Sequence, residues 1–199
     1  MSQRPTKTPS ARDLVRDQIV KAARDCFRQS GVRTTTMERI AKASGVSRQT
    51  VYKVFASRVD LVGAAVADRI SELADDIEAR SWADGSLIDA FVGQASAIVE
   101  AIRNDAELAV LLGQDSPLTL HQVLWQPAVR ERGLSVFQPW LRHARKDKLI
   151  RSDATDGDVY EWIQTVLTSI ILRPDPDPEH QRSLIEVFLV NSLRPPRDD

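Results

Sequence analysis

Residues 34–62 read TTTMERIAKASGVSRQTVYKVFASRVDLV, two short helices separated by a glycine turn and followed by the capped start of a third. Thr35 and Glu38 have the spacing of a capping box, in which a hydroxyl accepts the free N–H three residues on and the carboxylate reaches back. The helix so opened places Met37, Ile40 and Ala41 on one face. Gly45 follows where the chain must turn sharply, because a positive φ costs glycine little. Ser47 is a good N-cap for a second helix that runs to about Phe55. Val51 and Phe55 lie four residues apart and face inward, leaving Arg48, Gln49, Thr50, Tyr52 and Lys53 mostly outward. Ser57 and Asp60 repeat the cap spacing at the next helix start, beside Arg58.

This is the layout of a helix-turn-helix reader of duplex DNA. Entry into a major groove needs a narrow cylinder, donors and acceptors near its N-terminal end, and phosphate-binding groups around it. Arg48, Gln49 and Thr50 are expected to reach base edges. Thr36, Tyr52, Lys53 and Arg58 are expected on the phosphate backbone, with Thr35 and the Ser47 cap at the two helix starts beside them. Three short helices with a charged face could also form a purely structural bundle, but motif, spacing and charge coincide here.

Charge is partitioned along the chain. The whole sequence is nearly neutral, with 27 Lys+Arg against 28 Asp+Glu. Residues 1–62 hold 13 Lys+Arg and 5 Asp+Glu, a net +8, whereas the remainder carries a net −9. A positive field over the first third speeds association with a polyanion and supplies sequence-independent affinity, while the acidic part is repelled from it. Upstream, Ser10 and Asp13 form a further box, and Leu14, Val15, Ile19, Ala22, Ala23, Cys26 and Phe27 make an apolar stripe ending at Gly31. Residues 1–9, with Arg4 and Lys7, read as a flexible basic tail.

From about Val20 to Val62 the chain resembles the tetracycline-repressor (TetR) family of transcriptional regulators, through TTTMERIAKASGVSRQTVYKVF and the Ser57-Arg58-x-Asp60-Leu61 that follows. Val54 stands where many members carry histidine, and Arg58 where lysine is commoner; arginine can bind phosphate bidentately where lysine acts as a point charge. The resemblance implies a dimeric, all-helical DNA-binding protein, usually a repressor, that sits on a palindromic operator in double-stranded DNA and is released by a small-molecule effector.

The rest of the chain predicts helices over about Ser57 to Arg80, Ser86 to Arg103, Asp105 to Gly113, Leu118 to Trp125, Ala128 to Lys148, Thr155 to Leu172 and Asp177 to Leu193. Val59, Val62, Val66, Ile70, Leu73 and Ile77 face inward in the first of these, and Pro139 should kink or divide the fifth. No strand alternation competes. The fold class is all-α, with about nine helices: a helix-turn-helix domain over 10–56 and an effector-binding and dimerisation domain over 57–199.

The last two helices are apolar on most sides. Val159, Trp162, Ile163, Val166 and Ile170 on one, with Leu184, Val187, Phe188 and Asn191 on the other, are expected to pack against their two-fold copies as a four-helix homodimer interface. Trp82, Phe91, Trp125, Phe137, Trp140 and Trp162 are the aromatics available to line a pocket for an apolar or aromatic effector. His121, His143 and His180 are scattered without metal-ligand spacing, Cys26 is alone on an apolar face, and no nucleophile or phosphate-loop motif occurs. No catalytic residue, metal or cofactor is therefore expected. With no apolar run long enough to span a bilayer and no signal peptide, the expected location is the cytoplasm. The alternatives are a helical enzyme, which would need a titratable cluster the sequence lacks, and an interaction module whose basic end meets acidic protein.

Overall fold

A computed structural model describes residues 10–80, 85–174 and 177–196. The basic tail of residues 1–9 and Trp82 lie outside the described residues. The helices run α1 Ala11–Thr34, α2 Met37–Ser44, α3 Arg48–Val54, α4 Arg58–Glu78, α5 Leu87–Asn104, α6 Ala106–Leu111, α7 Leu120–Leu124, α8 Pro127–Lys146, α9 Asp156–Ile171, α10 Pro178–Ser183 and α11 Val190–Leu193. A π-helical segment, Leu184–Leu189, continues α10 into α11 without a break. Among the described residues there is no strand, so the fold is all-α.

Two compact units divide the chain elsewhere than at residues 56 and 57. The first takes in Met1–Asp68, described from residue 10 onward, together with Ala106–Thr119; the second takes in Arg69–Asp105 and Leu120–Asp199. The sixth helix thus belongs with the N-terminal elements.

In the first unit, α1 opens on the expected box: Ser10 Oγ accepts the Asp13 N–H at 3.2 Å and Asp13 accepts the Ser10 N–H at 3.0 Å. Ile19, Val20, Ala23 and Phe27 bury one face of α1, and α1 packs against α2 and α6. Leu14, placed on that stripe by periodicity, is exposed instead, as is Val59 in α4. Gly31 takes φ +74° and bends the end of α1, which the absence of a Cβ permits.

The start of α2 departs from expectation by one residue. Thr36, not Thr35, is the N-cap, accepting the Arg39 N–H at 3.2 Å. Thr35 is fully buried and its hydroxyl lies within hydrogen-bond reach of the Cys26 and Gly31 carbonyls, at 3.2 and 2.8 Å. A buried hydroxyl needs a partner, and the end of α1 offers two acceptors. Position three of the true cap is Arg39 rather than Glu38, so no capping box forms here.

The α6 segment is tied to α1 by charge. Arg24 donates from Nε and Nη2 to both carboxylate oxygens of Glu107, at 2.6 and 3.0 Å, and from Nη1 to Asp68 at 2.6 Å. A planar guanidinium suits this bidentate geometry.

The second unit is built round α5, α8, α9 and the C-terminal helical run. Ser86 with Asp89 and Thr155 with Asp158 form the expected capping boxes of α5 and α9. Asp177 caps α10, and Pro178 takes the first-turn position where a missing N–H costs nothing. Phe91 packs its ring 4.4 Å from Trp140 and 5.7 Å from Phe137, between α5 and α8. Pro139 sits inside α8 without dividing it. Ile185 and Leu189 of the π segment are buried, whereas Val187 and Phe188 point outward.

Candidate nucleic-acid interface and internal cavity

Helix α3 is held from both ends. Ser47 Oγ accepts the Thr50 N–H at 3.0 Å and lies 2.9 Å from the Thr50 hydroxyl. Val51 and Phe55 are buried beneath, and the Phe55 N–H donates to the Val51 carbonyl at 2.8 Å. Before it, Gly45 adopts φ +69° and donates to the Ala41 and Lys42 carbonyls, so the turn depends on a left-handed residue. Gln18 of α1 donates to the Ser44 carbonyl at 2.6 Å, adding a tie between α1 and the turn that periodicity did not show.

On this rigid support Arg48, Gln49, Tyr52 and Lys53 are all exposed. The Arg48 guanidinium lies 5.6 Å from the centre of the Tyr52 ring, a cation–π contact that holds it near the N-terminal end of α3. Thr36 is exposed at the α2 cap, and Ser47 is exposed at the α3 cap. Thr50 is half-covered, its hydroxyl beside Ser47. Exposed Arg39 and Lys42 on α2 add positive charge to the same unit.

One of the expected DNA contacts is used inside the protein, and a second, Arg58, is half-covered with part of its guanidinium engaged there. Thr35 is buried, as described, and cannot reach a phosphate. Arg58 donates from Nη2 to the Val32 carbonyl and from Nη1 to the Arg33 carbonyl, the latter at 3.2 Å, tying the start of α4 to the end of α1. Its role in the structure is to satisfy orphan carbonyls at a helix end.

The second unit contains a partly open cavity of about 80 Å³ between α4, α5, α7, α8 and α9. Its wall is almost wholly hydrocarbon, from Ile70, Leu73, Ile77, Ile102, Val136 and Leu167 among others. Of the six aromatics proposed from sequence, Phe137 lies on it. Phe91 fills the neighbouring core, Trp140 stacks on it and borders a second hollow beside Leu87, Gln94 and His143, and Trp125 packs under the Arg130 guanidinium at 5.3 Å. Trp162 is 47% exposed and donates from Nε1 to Ser192 at 2.7 Å.

Polar groups reach the cavity at a few points. Gln164 is only 7% exposed, and its Nε2 donates to the Leu124 carbonyl at 2.6 Å. Its Oε1 is buried with no protein partner among the described residues. Burial also pushes the Tyr160 hydroxyl up to about 12, against a small opposing pull from Arg130, so it stays neutral at physiological pH. Tyr160 fits because position 133 is glycine: a Cβ there would stand 1.8 Å from the Tyr160 oxygen. Arg132 also borders the cavity, but its guanidinium is held by Asp75 and Glu78 at 2.5 and 2.8 Å. Sequence reasoning missed Gln164, Tyr160 and Gly133. The available signals were a glycine inside a helix and two polar residues, Gln164 and Thr168, on an otherwise apolar face.

The proposed dimer set splits in two. Val159, Ile163 and Ile170 are buried within the protomer and belong to its own core, because an amphipathic helix turns its widest apolar stripe inward first. Trp162, Val187 at 48%, Phe188 at 66% and Asn191 are exposed, with Val166 and Leu184 partly covered. Among the described residues, no group of His, Cys, Asp or Glu side chains is arranged to hold a metal, and no helix is long and apolar enough to cross a membrane.

A capped α3 carrying outward polar and basic side chains, set behind a left-handed glycine turn, defines a helix-turn-helix protein of the DNA-reading class. Residues 19–65 match the family model described as bacterial regulatory proteins, tetR family. The regulator AlkX of Mycobacterium tuberculosis is 30% identical over 110 residues, 54% of this chain and 52% of that protein, so the match spans about half its length. The R. erythropolis repressor QsdR shares the fold with a TM-score of 0.68 at 14% identity, covering 94% of this chain and 99% of that one. AlkX of Dietzia sp. strain DQ12-45-1b does so at 0.63 and 22% identity, covering 89% and 96%. Residues 19–65 thus match the DNA-binding segment of the TetR family, and over most of its length the chain shares the fold of these regulators.

Proposed function

We propose that this regulator acts in the cytoplasm as a homodimeric repressor, binding a palindromic operator and leaving it when a small, mainly apolar effector enters the cavity of the second unit. The observation that carries the DNA half is α3 itself, whose exposed Arg48, Gln49, Tyr52 and Lys53 stand on a helix fixed by Val51 and Phe55 below. Arg48 and Gln49 suit base edges, and Lys53, Tyr52, Thr36 and the Ser47–Thr50 cap suit the phosphates. The dimer reading is supported by the exposed Trp162, Val187 and Phe188, apolar side chains on α9 and the C-terminal run that a two-fold copy would cover. Two reading helices about 34–36 Å apart then meet successive major grooves. Repression is the role described for both QsdR and the Dietzia AlkX.

The effector half rests on the cavity wall. Helix α4 contributes Ile70, Leu73 and Ile77 to it and is the same continuous helix that Ser57 caps at its other end. A ligand that favours one position of α4 shifts the regulator between states by its differential affinity for them.

Fluorescence anisotropy with a fragment from upstream of the protein's own gene tests the reading. Binding should weaken steeply with salt, with a slope of about −0.9 per neutralised phosphate. Lys53→Ala should lower affinity for all sequences alike, and Gln49→Ala should change preference at one base pair by roughly 1–3 kcal/mol. Unchanged sequence preference in Gln49→Ala would refute the base contact. Absence of any salt-dependent binding would refute the DNA role.

A further inference from the structure

Resting on the effector reading above, we infer that the cavity of the second unit is specific for an uncharged, mainly hydrocarbon ligand bearing one hydroxyl group, held between Gln164 Oε1 and the Tyr160 hydroxyl.

The orientation of the Gln164 amide is fixed. The Leu124 carbonyl is only an acceptor, so the end of the amide that meets it at 2.6 Å must be the NH₂. Oε1 is thereby turned away as a bare acceptor, buried and without a protein donor among the described residues. A buried carbonyl in that state needs a donor from outside the chain. Tyr160 and Gln164 are four residues apart on α9, one above the other on the same face, and both border the cavity. Tyr160 is 7% exposed, with its hydroxyl beside Gly133 on the cavity wall. One ligand hydroxyl can serve both: it donates its proton to Gln164 Oε1 and accepts one from Tyr160, with O–H···O distances near 2.7–2.8 Å.

Charge is excluded by what lines the rest of the wall. Arg132 is the one cation that borders the cavity among its described lining residues, and Asp75, Glu78 and Ser135 already occupy its guanidinium. A carboxylate would enter a hydrocarbon wall without a free counter-charge, where its desolvation is not offset. A ligand with no polar group would leave Oε1 unpaired, and a site built to hydrogen-bond a hydroxyl discriminates strongly against the analogue that lacks it. Size adds a further condition. A cavity of about 150 Å³ lined by hydrocarbon accepts benzene, so at about 80 Å³ this one must widen for a ring. The ligand therefore binds a swollen form better than the compact one, as an effector must.

Phenol, toluene and benzoate are isosteric enough to separate these requirements. Calorimetry and ligand-observed NMR on the full chain should show phenol bound at least about tenfold more tightly than toluene, with benzoate weakest. In Gln164→Leu and, as a second variant, Tyr160→Phe, the preference for phenol over toluene should fall to within about twofold while toluene binding is kept. Equal binding of toluene and phenol to the unaltered protein, tighter binding of benzoate, or no binding of any of the three at millimolar concentration would overturn the proposal. A preference for phenol that survives both variants would overturn the assignment to Gln164 and Tyr160. DNA release is read separately: phenol that binds with the stated preference yet leaves the operator complex intact supports this specificity and refutes the effector reading instead.

Discussion

Removing the Arg24 side chain should be among the costliest single changes in the first unit. Arg24 makes two bonds to Glu107 and one to Asp68, joining α1 to α6 and α4. The Glu107 side chain is only 10% exposed, so Arg24→Met leaves a carboxylate stranded in a poorly solvated place. Breaking a buried pair in this way costs about 3–5 kcal/mol. Two features pull the value to the lower end: Asp68 is half-exposed and loses little, and Arg28 Nη1 lies 3.9 Å from Glu107 and recovers part of the attraction. The expected loss is about 3 kcal/mol, which for a chain of about 200 residues lowers Tm by roughly 6–12 °C. Exchanging both partners, Arg24→Met with Glu107→Leu, removes the stranded charge and should recover most of that loss. Thermal unfolding followed by circular dichroism, with urea titration as the second probe, measures all three variants. A loss below about 1 kcal/mol in Arg24→Met, or a double variant no more stable than the single one, would refute the claim that the cost is a stranded charge.

The remaining expectations concern the second unit. Gly→Ala in a helix interior normally gains about 0.5–1 kcal/mol, but at Gly133 the new Cβ would lie 1.8 Å from the Tyr160 oxygen and 2.8 Å from its Cζ. Overpacking of about 1–3 kcal/mol should outweigh the gain in urea unfolding, and the sign should reverse in a Tyr160→Ala background. Phe188→Asp places a charge on the exposed apolar face and should weaken self-association at least 100-fold, about 3 kcal/mol, in sedimentation velocity; a dimer that persists at low micromolar concentration argues for another interface. The Thr155 and Ser86 hydroxyls hold the Asp158 and Asp89 carboxyls below the usual carboxylate range. Their folded values are depressed, so the stability they confer is full above the unfolded value of about 3.9 and is lost as pH falls through the folded values. Urea midpoints between about pH 5 and pH 2 should therefore fall less in the Asp89→Asn, Asp158→Asn variant than in the parent, and parallel curves would count against the caps as titrating stabilisers.

Local chemistry made much of this structure legible. Gly45 and Ser47 set the turn and the start of α3, and Ser10, Ser86 and Thr155 cap the helices that their spacing announces. Residues whose role depends on distant partners were not legible. Thr34, Thr35 and Thr36 are equally able to cap; Thr36 does so because Thr35 is drawn under the end of α1. Arg58 reads from sequence as a phosphate ligand alone, and its bonds to the Val32 and Arg33 carbonyls could not be foreseen. Periodicity marked Val159, Ile163 and Ile170 as apolar correctly, yet it cannot say whether an apolar face meets its own protomer or a copy. Aromatics drew attention to Phe91, which fills core, and to Trp140, which borders a separate hollow, while the character of the apolar cavity is set by a glycine, an amide and a phenol.

Gln164 also carries a cost that core packing alone does not explain. Its Nε2 bond to Leu124 contributes about 1 kcal/mol, whereas a buried carbonyl oxygen without a donor costs about 1–3 kcal/mol. Leucine at 164 would give up the first term and remove the second, while adding hydrocarbon to a wall already made of it. The balance for the protein without ligand is neutral or favourable, so the amide is a poor choice for stability and a good one for recognition. The same sign holds for Tyr160, whose ring contributes packing but whose hydroxyl is accommodated only because residue 133 has no side chain. Local choices that oppose stability within one otherwise apolar cavity are expected where a site has a ligand to select.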